Sequence, residues 1–148
     1  MTWKLVDESQ GRTYVLVASP GEDAVEAVTR LAQDENLSAA QLTAVGAFAH
    51  ATVGWFDRDN KKYREIPIEQ QCEVLSLIGD IALGDEGPTV HAHAVLGLSD
   101  GQVRGGHLLM GEVWPTLEVV VRESPTTLRR TNRPEIGLAL IDLEHPSR

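Results

Sequence analysis

The fold is set by the stretch PTVHAHAVLGLSDGQVRGGH, residues 88–107. Residues two apart on a β-strand point to the same face, so an extended segment from Pro88 to Leu98 places His91 and His93 on one side of a sheet. The opposite side then carries Val90, Ala92, Ala94 and Leu96. The pattern predicts a strand with an apolar inner face and two histidines on the other face.

The turn that follows decides where His107 lies. Ser99-Asp100-Gly101 suits a three-residue hairpin loop with glycine in the left-handed region, which pairs Leu98 with Gln102 and sets His93 directly opposite His107. Opposed Cβ atoms lie about 4.5–5.5 Å apart. A two-residue turn would shift the register by one residue and send His107 to the other face, unless a bulge at Gly105-Gly106 restored it.

Three converging imidazoles are typical ligands of zinc and similar ions. Without an obvious fourth ligand, His91, His93 and His107 would leave a coordination position open for water, as in catalytic zinc sites. The alternative is that the three are half-buried strand residues, hydrogen-bonded to neighbours or packed in a subunit interface.

The rest of the chain predicts an α+β fold, with a mainly antiparallel sheet and one or two packed helices in a single domain, residues 1–148. One helix begins near Asp23 and stops at Asn36, with an apolar stripe of Val25, Val28, Leu31 and Ala32; Ser38 caps a short second helical turn. Predicted strands are Trp3–Val6, Thr13–Ala18, Gln41–Val45, Ala49–Phe56, Lys62–Ile68, Cys72–Leu83, Thr89–Leu98, Gln102–Leu109, Thr116–Val121 and Leu138–Leu143.

The composition disfavours nucleic acid and membranes as partners and favours a cytoplasmic location. The formal net charge of −9 disfavours general attraction to nucleic acid, and the only adjacent basic pairs, Lys61-Lys62 and Arg129-Arg130, are interpreted as solvated loop or strand ends. No apolar run is long enough to span a membrane. The single Cys72 is interpreted as a buried small residue, and with no secretory signal after Met1 we expect a cytoplasmic protein.

Four blocks, in this order and spacing, resemble the PPC (plants and prokaryotes conserved) domain family, formerly a domain of unknown function. They are Glu73–Gly79, His91-Ala92-His93, Gly105–Leu108 and Thr116–Val119. The resemblance covers nearly the whole chain. It implies an α+β fold assembled as a homotrimer.

The resemblance also bears on ligands. Stand-alone prokaryotic members carry the pattern that this chain shows at His91, His93 and His107, which favours a metal site with zinc as the first choice. In plant members the domain follows a DNA-binding AT-hook, but this chain has no Arg-Gly-Arg-Pro-like segment. Direct nucleic-acid binding, although implied by the family, is therefore not expected here, and no substrate follows from the family.

Three further residues are considered as additional members of the site. Glu118 shares a strand face with Thr116 and is the candidate for a further ligand or a general base, against the alternative of a solvated or Arg-paired carboxylate. His50 could approach the site from its strand, although a lone strand histidine is more often structural. His145 is interpreted as a solvated residue of a C-terminal tail.

Three functions remain open, and whether the protein is an enzyme is among the open points. The first is a cytoplasmic homotrimer whose histidine metal site binds a small ligand or supports metal-assisted chemistry. The second is an oligomerisation or interaction module without catalysis. The third is a regulatory protein associated with DNA directly or through partners, whose binding should weaken steeply with salt.

Overall fold

Antiparallel strands dominate the computed structural model, which describes residues 1–7 and 11–143. Its strands are β1 (Thr2–Asp7), β2 (Thr13–Ala18), β3 (Ala39–Asp57), β4 (Lys62–Ile68), β5 (Cys72–Gly84), β6 (Gly87–Gly97), β7 (Val103–Glu123), β8 (Arg130–Arg133) and β9 (Leu138–Ile141), and its helix is α1 (Ala24–Asp34). One helix on a mainly antiparallel sheet confirms the predicted α+β class.

Seven strands form one sheet in the order β1-β2-β7-β6-β5-β3-β4, and β8 pairs with β9 in a separate hairpin. A further pairing joins β7 to β3, so that β3, β5, β6 and β7 are linked in a closed circuit. This circuit places β6, with its two histidines, between β5 and the start of β7. Closure removes the edges that these central strands would otherwise present.

Helix α1 begins where the sequence predicts. The Asp23 side chain caps it by accepting a hydrogen bond from the Glu26 amide at 2.9 Å. Its buried face, Ala24, Ala27, Val28, Leu31 and Ala32, packs against β7, β6 and β2. Asn36, the predicted stop, follows with a φ of 54° in the left-handed region. Among the described residues no helix is long and apolar enough to cross a membrane.

The predicted short helical turn at Ser38 is wrong. Strand β3 begins at Ala39, one residue later, and the Ser38 hydroxyl lies 3.3 Å from both the Thr126 carbonyl oxygen and the Thr127 hydroxyl. The side chain therefore holds the segment before β8 instead of capping a helix.

Two pairs of predicted strands are in fact single long strands. Gln41–Val45 and Ala49–Phe56 belong to β3, and Gln102–Leu109 and Thr116–Val121 belong to β7. The residues between the predicted strands include bulges within continuous strands, such as Gly46, where the register shifts against both neighbours. Gly46 has a φ of 148°, and a Cβ there would lie 2.3 Å from the Thr116 carbonyl oxygen.

The C-terminal hairpin shows that the interpretation of Arg130 as a solvated residue is wrong. Strand β8 was not predicted, and Leu138–Leu143 is β9, which ends at Ile141. Arg129-Arg130 was interpreted as solvated, yet Arg130 is only 8% exposed. Its guanidinium pairs with Asp80 of β5, so a long-range ion pair buries a residue that its local sequence marks as surface.

Candidate metal site

Strand β6 places His91 and His93 on the outer face because the residues between them are drawn into the core. Ala92 and Ala94 are 4% and 1% exposed and belong to the main apolar cluster. Their alternation with the histidines is the predicted one. His93 is exposed and His91 is half-buried.

The β6–β7 hairpin brings His107 to the same place. The Leu98 amide donates to the Gln102 carbonyl at 2.9 Å, the Gly101 amide donates to the Leu98 carbonyl at 3.0 Å, and Gly101 has a φ of 81°. With this three-residue loop, His93 pairs directly with His107. The predicted register is confirmed.

The three imidazoles form a compact cluster. One ring nitrogen from each of His91, His93 and His107 lies within 4.8 Å of the other two. Ring centroids are 5.2 Å apart for His91 with His93, 5.2 Å for His91 with His107, and 5.6 Å for His93 with His107. Zn–N bonds of about 2.0–2.1 Å bring two ligand nitrogens within about 4.2 Å, so small side-chain rotations suffice to place all three on one ion.

A carboxylate and a buried guanidinium support His91. Asp80 of β5 lies opposite His91 in the β5–β6 register, and its Oδ2 is 3.6 Å from His91 Nδ1. The other carboxylate oxygen accepts a hydrogen bond from Arg130 Nη2. An acidic group beside Nδ1 favours the tautomer that leaves Nε2 free for an ion.

Tyr63 of β4 supports His107. The two rings stack with centroids 4.5 Å apart and an interplanar angle of 28°, and the Tyr63 hydroxyl lies 3.3 Å from His107 Nδ1. Gly54, which pairs with His107 from β3, makes room for this stack, since a Cβ there would lie 2.7 Å from the Tyr63 ring. This contact orients His107 so that Nε2 remains available.

The electrostatics keep two of the imidazoles neutral at neutral pH. Burial, followed by the neighbouring His91 and His93 and by Arg130, lowers the pKa of His107 to about 4. Burial and Arg130 also lower the pKa of His91, against the opposing effect of Asp80. Neutral imidazole is the form that binds metal, so no proton has to leave these two rings near pH 7.

Open space adjoins the cluster on two sides. A groove of about 500 Å³ on the outer sheet face is lined by residues that include Gln41, Ile78, Asp80 and His93. A second cavity of about 220 Å³ lies between the histidines and the β8–β9 hairpin. A ligand could therefore reach the cluster from either side.

The remaining sequence candidates lie elsewhere. Glu118 is exposed and pairs with Val17 and Val45 across neighbouring strands, whereas His107 pairs with Gly54, so Glu118 is not among the clustered ligands. His50 Nε2 lies 3.7 Å from Glu112, which fits its structural interpretation.

Two candidates were interpreted as playing no part in a site. Cys72 is 2% exposed, as predicted, and burial raises the pKa of its thiol. His145 lies outside the described residues.

Sequence reasoning missed Asp80, Arg130 and Tyr63. Asp80 had a usable signal, because continuing the β5–β6 hairpin from the Gly84–Gly87 turn places it opposite His91. Tyr63 and Arg130 reach the cluster through pairings between segments far apart in the chain, and no local pattern marks them.

Comparisons with known proteins agree with this fold. In solved structures, a plant- and prokaryote-conserved (PPC) protein of Pyrococcus horikoshii is 32% identical, with a TM-score of 0.85, over 95% of this chain and 94% of its own. A metal-containing protein of Archaeoglobus fulgidus is 30% identical, with a TM-score of 0.83, over 95% and 98%. A Ralstonia eutropha protein provisionally described as DNA-binding is 28% identical, with a TM-score of 0.84, over 95% and 96%.

A search of curated proteins found no significant match. The family model of the Plants and Prokaryotes Conserved (PCC) domain matches residues 6–125, which include all three clustered histidines and the four sequence blocks that resemble this family. The chain belongs to the plants and prokaryotes conserved domain family.

Proposed function

We propose that the protein binds one divalent metal ion, with zinc as the first choice, through His91, His93 and His107. The observation that carries this proposal is the convergence of one nitrogen from each histidine within 4.8 Å. The supporting residues Asp80 and Tyr63 orient two of the rings, as residues behind metal-binding histidines commonly do. The Archaeoglobus relative is described as metal-containing, which supports the same proposal.

The geometry favours a site that acts on a small molecule. Three histidines leave a fourth tetrahedral position open, and both neighbouring spaces give access to it. A bound ion would supply Lewis-acid chemistry at that position. Binding of a small ligand, or metal-assisted chemistry on it, is accordingly the proposed activity, and a single domain in the cytoplasm is part of the same proposal.

Self-association as a homotrimer is part of the proposal. The register aligns His93 with Ile78, Thr43 and Val120 in one row across β6, β5, β3 and β7. The outer face around this row exposes apolar side chains, each more than 40% exposed: Val17, Val45, Ile78, Val95 and Val120. A face with several exposed apolar side chains is typical of a protein interface. Covering it with further copies would place the histidine site at a subunit boundary.

The decisive experiment is elemental analysis of tag-free protein after zinc loading and dialysis. We expect close to one metal ion per chain in the wild type and none in the triple variant His91→Ala, His93→Ala, His107→Ala. His50→Ala is the matched control and should retain the metal, because His50 lies apart from the cluster. Wild-type protein that retains no metal would refute the site.

The same samples test the assembly. Light scattering should give three times the 16.1 kDa chain mass with and without metal. A trimer that binds no metal would leave the interaction module, without catalysis, as the function.

A second candidate function is DNA association, for which the observation is the description of the Ralstonia relative. The net charge of −9 opposes it, since phosphate binding requires clustered basic residues. Binding to duplex DNA that falls steeply between 50 and 200 mM salt would support this candidate. Weak binding that does not respond to salt would exclude it.

A further inference from the structure

The cavity beside the histidine cluster has two chemically different walls. His91, His107, Tyr63 and Arg130 form a polar wall, and residues of β9, including Leu138 and Leu140, form an apolar wall. The cavity volume is about 220 Å³. At ~30 Å³ per water molecule, this is room for about seven waters, which suits a small metabolite.

Arg130 in the polar wall is a buried cation with unused hydrogen-bonding capacity. It is 8% exposed, and its Nη2 donates to Asp80. Its Nε is enclosed and has no hydrogen-bond partner among the described residues. A guanidinium cannot lose its charge to relieve a missing partner. Because Nε itself is enclosed, an acceptor in the cavity would meet the outer guanidinium nitrogens of Arg130, which lines the cavity, and would balance its charge there.

The charge of the cavity favours an anion. Arg130 is positive and Asp80 balances it, so a divalent ion on the histidines would leave the wall with a net positive charge. Carboxylate is the acceptor that suits both a guanidinium and a metal ion in so small a space.

We propose that this cavity binds a small aliphatic carboxylate, with its charged end between Arg130 and the metal position and its alkyl end on Leu138 and Leu140. The role of the metal rests on the proposed function, whereas the contributions of Arg130 and the β9 wall do not. The β8–β9 hairpin thus forms part of the ligand site. It lies beyond residues 6–125, the part matched by the family model.

The test compares isobutyrate with isobutyramide, a neutral molecule of nearly the same shape. Both are titrated into zinc-loaded protein and into chelator-treated protein, and binding is followed by calorimetry and by the amide NMR shifts of β9. We expect isobutyrate to bind about tenfold more tightly than the amide to the zinc-loaded protein, because charge-assisted hydrogen bonds are the stronger kind. The largest changes in amide NMR shift should be at Leu138 and Leu140.

Substitutions at two positions locate the effect. Arg130→Gln should remove the preference for the carboxylate. The exposed Leu140 provides a second test that does not depend on folding of the Arg130 variant. Leu140→Glu places a negative charge at the wall and should weaken the binding of isobutyrate several-fold, while Leu140→Gln should change that binding little. Equal binding of isobutyrate and isobutyramide would overturn the inference. So would isobutyrate binding that neither Arg130→Gln nor Leu140→Glu changes.

The outcomes also separate this inference from the metal site. Zinc bound to the histidines without a carboxylate preference would overturn the inference and leave the proposed function standing. A carboxylate preference that depends on Arg130 in protein that retains no zinc would support the cavity and refute the metal proposal.

Discussion

His93 lies directly opposite His107 across the β6–β7 hairpin, with ring centroids 5.6 Å apart and the ring planes at 79°. This juxtaposition depends on the loop between them, in which Gly101 adopts a φ of 81°. A shift of one residue in the loop would send His107 to the other face of the sheet. The hairpin is therefore as much a part of the site as the histidines are.

Replacing Gly101 by valine should destabilise the protein by about 1–2 kcal/mol, because a β-branched residue is strained at this φ. No atom lies within 4 Å of the position a Cβ would take, so the cost arises in the backbone alone. Gly101→Asn is the matched control and should cost clearly less, since asparagine tolerates left-handed geometry. Urea unfolding measures both, and equal losses would contradict this account.

The Asp80–Arg130 pair should matter to folding even without metal. Asp80→Asn leaves a buried guanidinium without its counter-charge, and since Asp80 is partly exposed we expect a loss of about 2 kcal/mol in chelator-treated protein. Asp59→Asn serves as the control, because the Arg58–Asp59 pair is almost fully solvated and should contribute nothing measurable. Comparable effects of the two changes would refute the role of the buried pair.

The histidine cluster was largely predictable because its members are close together in the sequence. His91 and His93 share a strand, and one short turn relates them to His107, so periodicity and turn chemistry were sufficient to place all three. Asp80 was within reach of the same reasoning through the next hairpin. Arg130 was not, since its burial depends on a pairing with a residue 50 positions away.

The fold was predictable to a similar extent. Alternating apolar residues gave the strands, but they did not show that β3 and β7 continue through bulges. Gly46 indicates a bulge or a close backbone approach already in the sequence, but the strand that it approaches, at Thr116, is seen only in the structure. Closure of the sheet by the β7–β3 pairing likewise depends on contacts between distant segments.

Glu123 should make the protein more stable above its pKa than below it. Arg12 holds the carboxylate with Nε–Oε2 and Nη2–Oε1 distances of 2.7 and 2.6 Å, which lowers the pKa of Glu123. The unfolded chain takes up this proton at a higher pH than the folded protein does, so this contribution is lost as the pH falls below about 4.5 through the folded pKa.

The variant Glu123→Gln should reduce the acid sensitivity, measured as the slope of the urea midpoint between pH 5 and 3. Glu118→Gln changes an exposed carboxylate on the same strand and should retain metal, because Glu118 lies outside the histidine cluster. An unchanged slope in Glu123→Gln would rule out the ion pair as the cause.

His107 should titrate near pH 4 in chelator-treated protein, since burial and the neighbouring imidazoles disfavour its charged form. The unfolded chain binds this proton near pH 6.5, so the stability conferred by a neutral His107 is present above that pH and falls as the pH drops from 6.5 towards 4. NMR of the imidazole reports the pKa directly. Titration at the ordinary value of a solvated histidine would show that the cluster is open to water.

Charge placed on the outer face should dissociate the proposed trimer without unfolding the chain. Val45 is 56% exposed and lies opposite Glu118, so Val45→Lys gains a favourable cross-strand neighbour within the chain while burying a cation in any interface over this face. Ile136→Lys, at an exposed position of the β8–β9 turn, is the control and should leave the mass unchanged. Light scattering should give a monomer for Val45→Lys with an unaltered circular dichroism spectrum. A trimer in both variants would show that the interface lies elsewhere and that the histidine site is not at the subunit boundary.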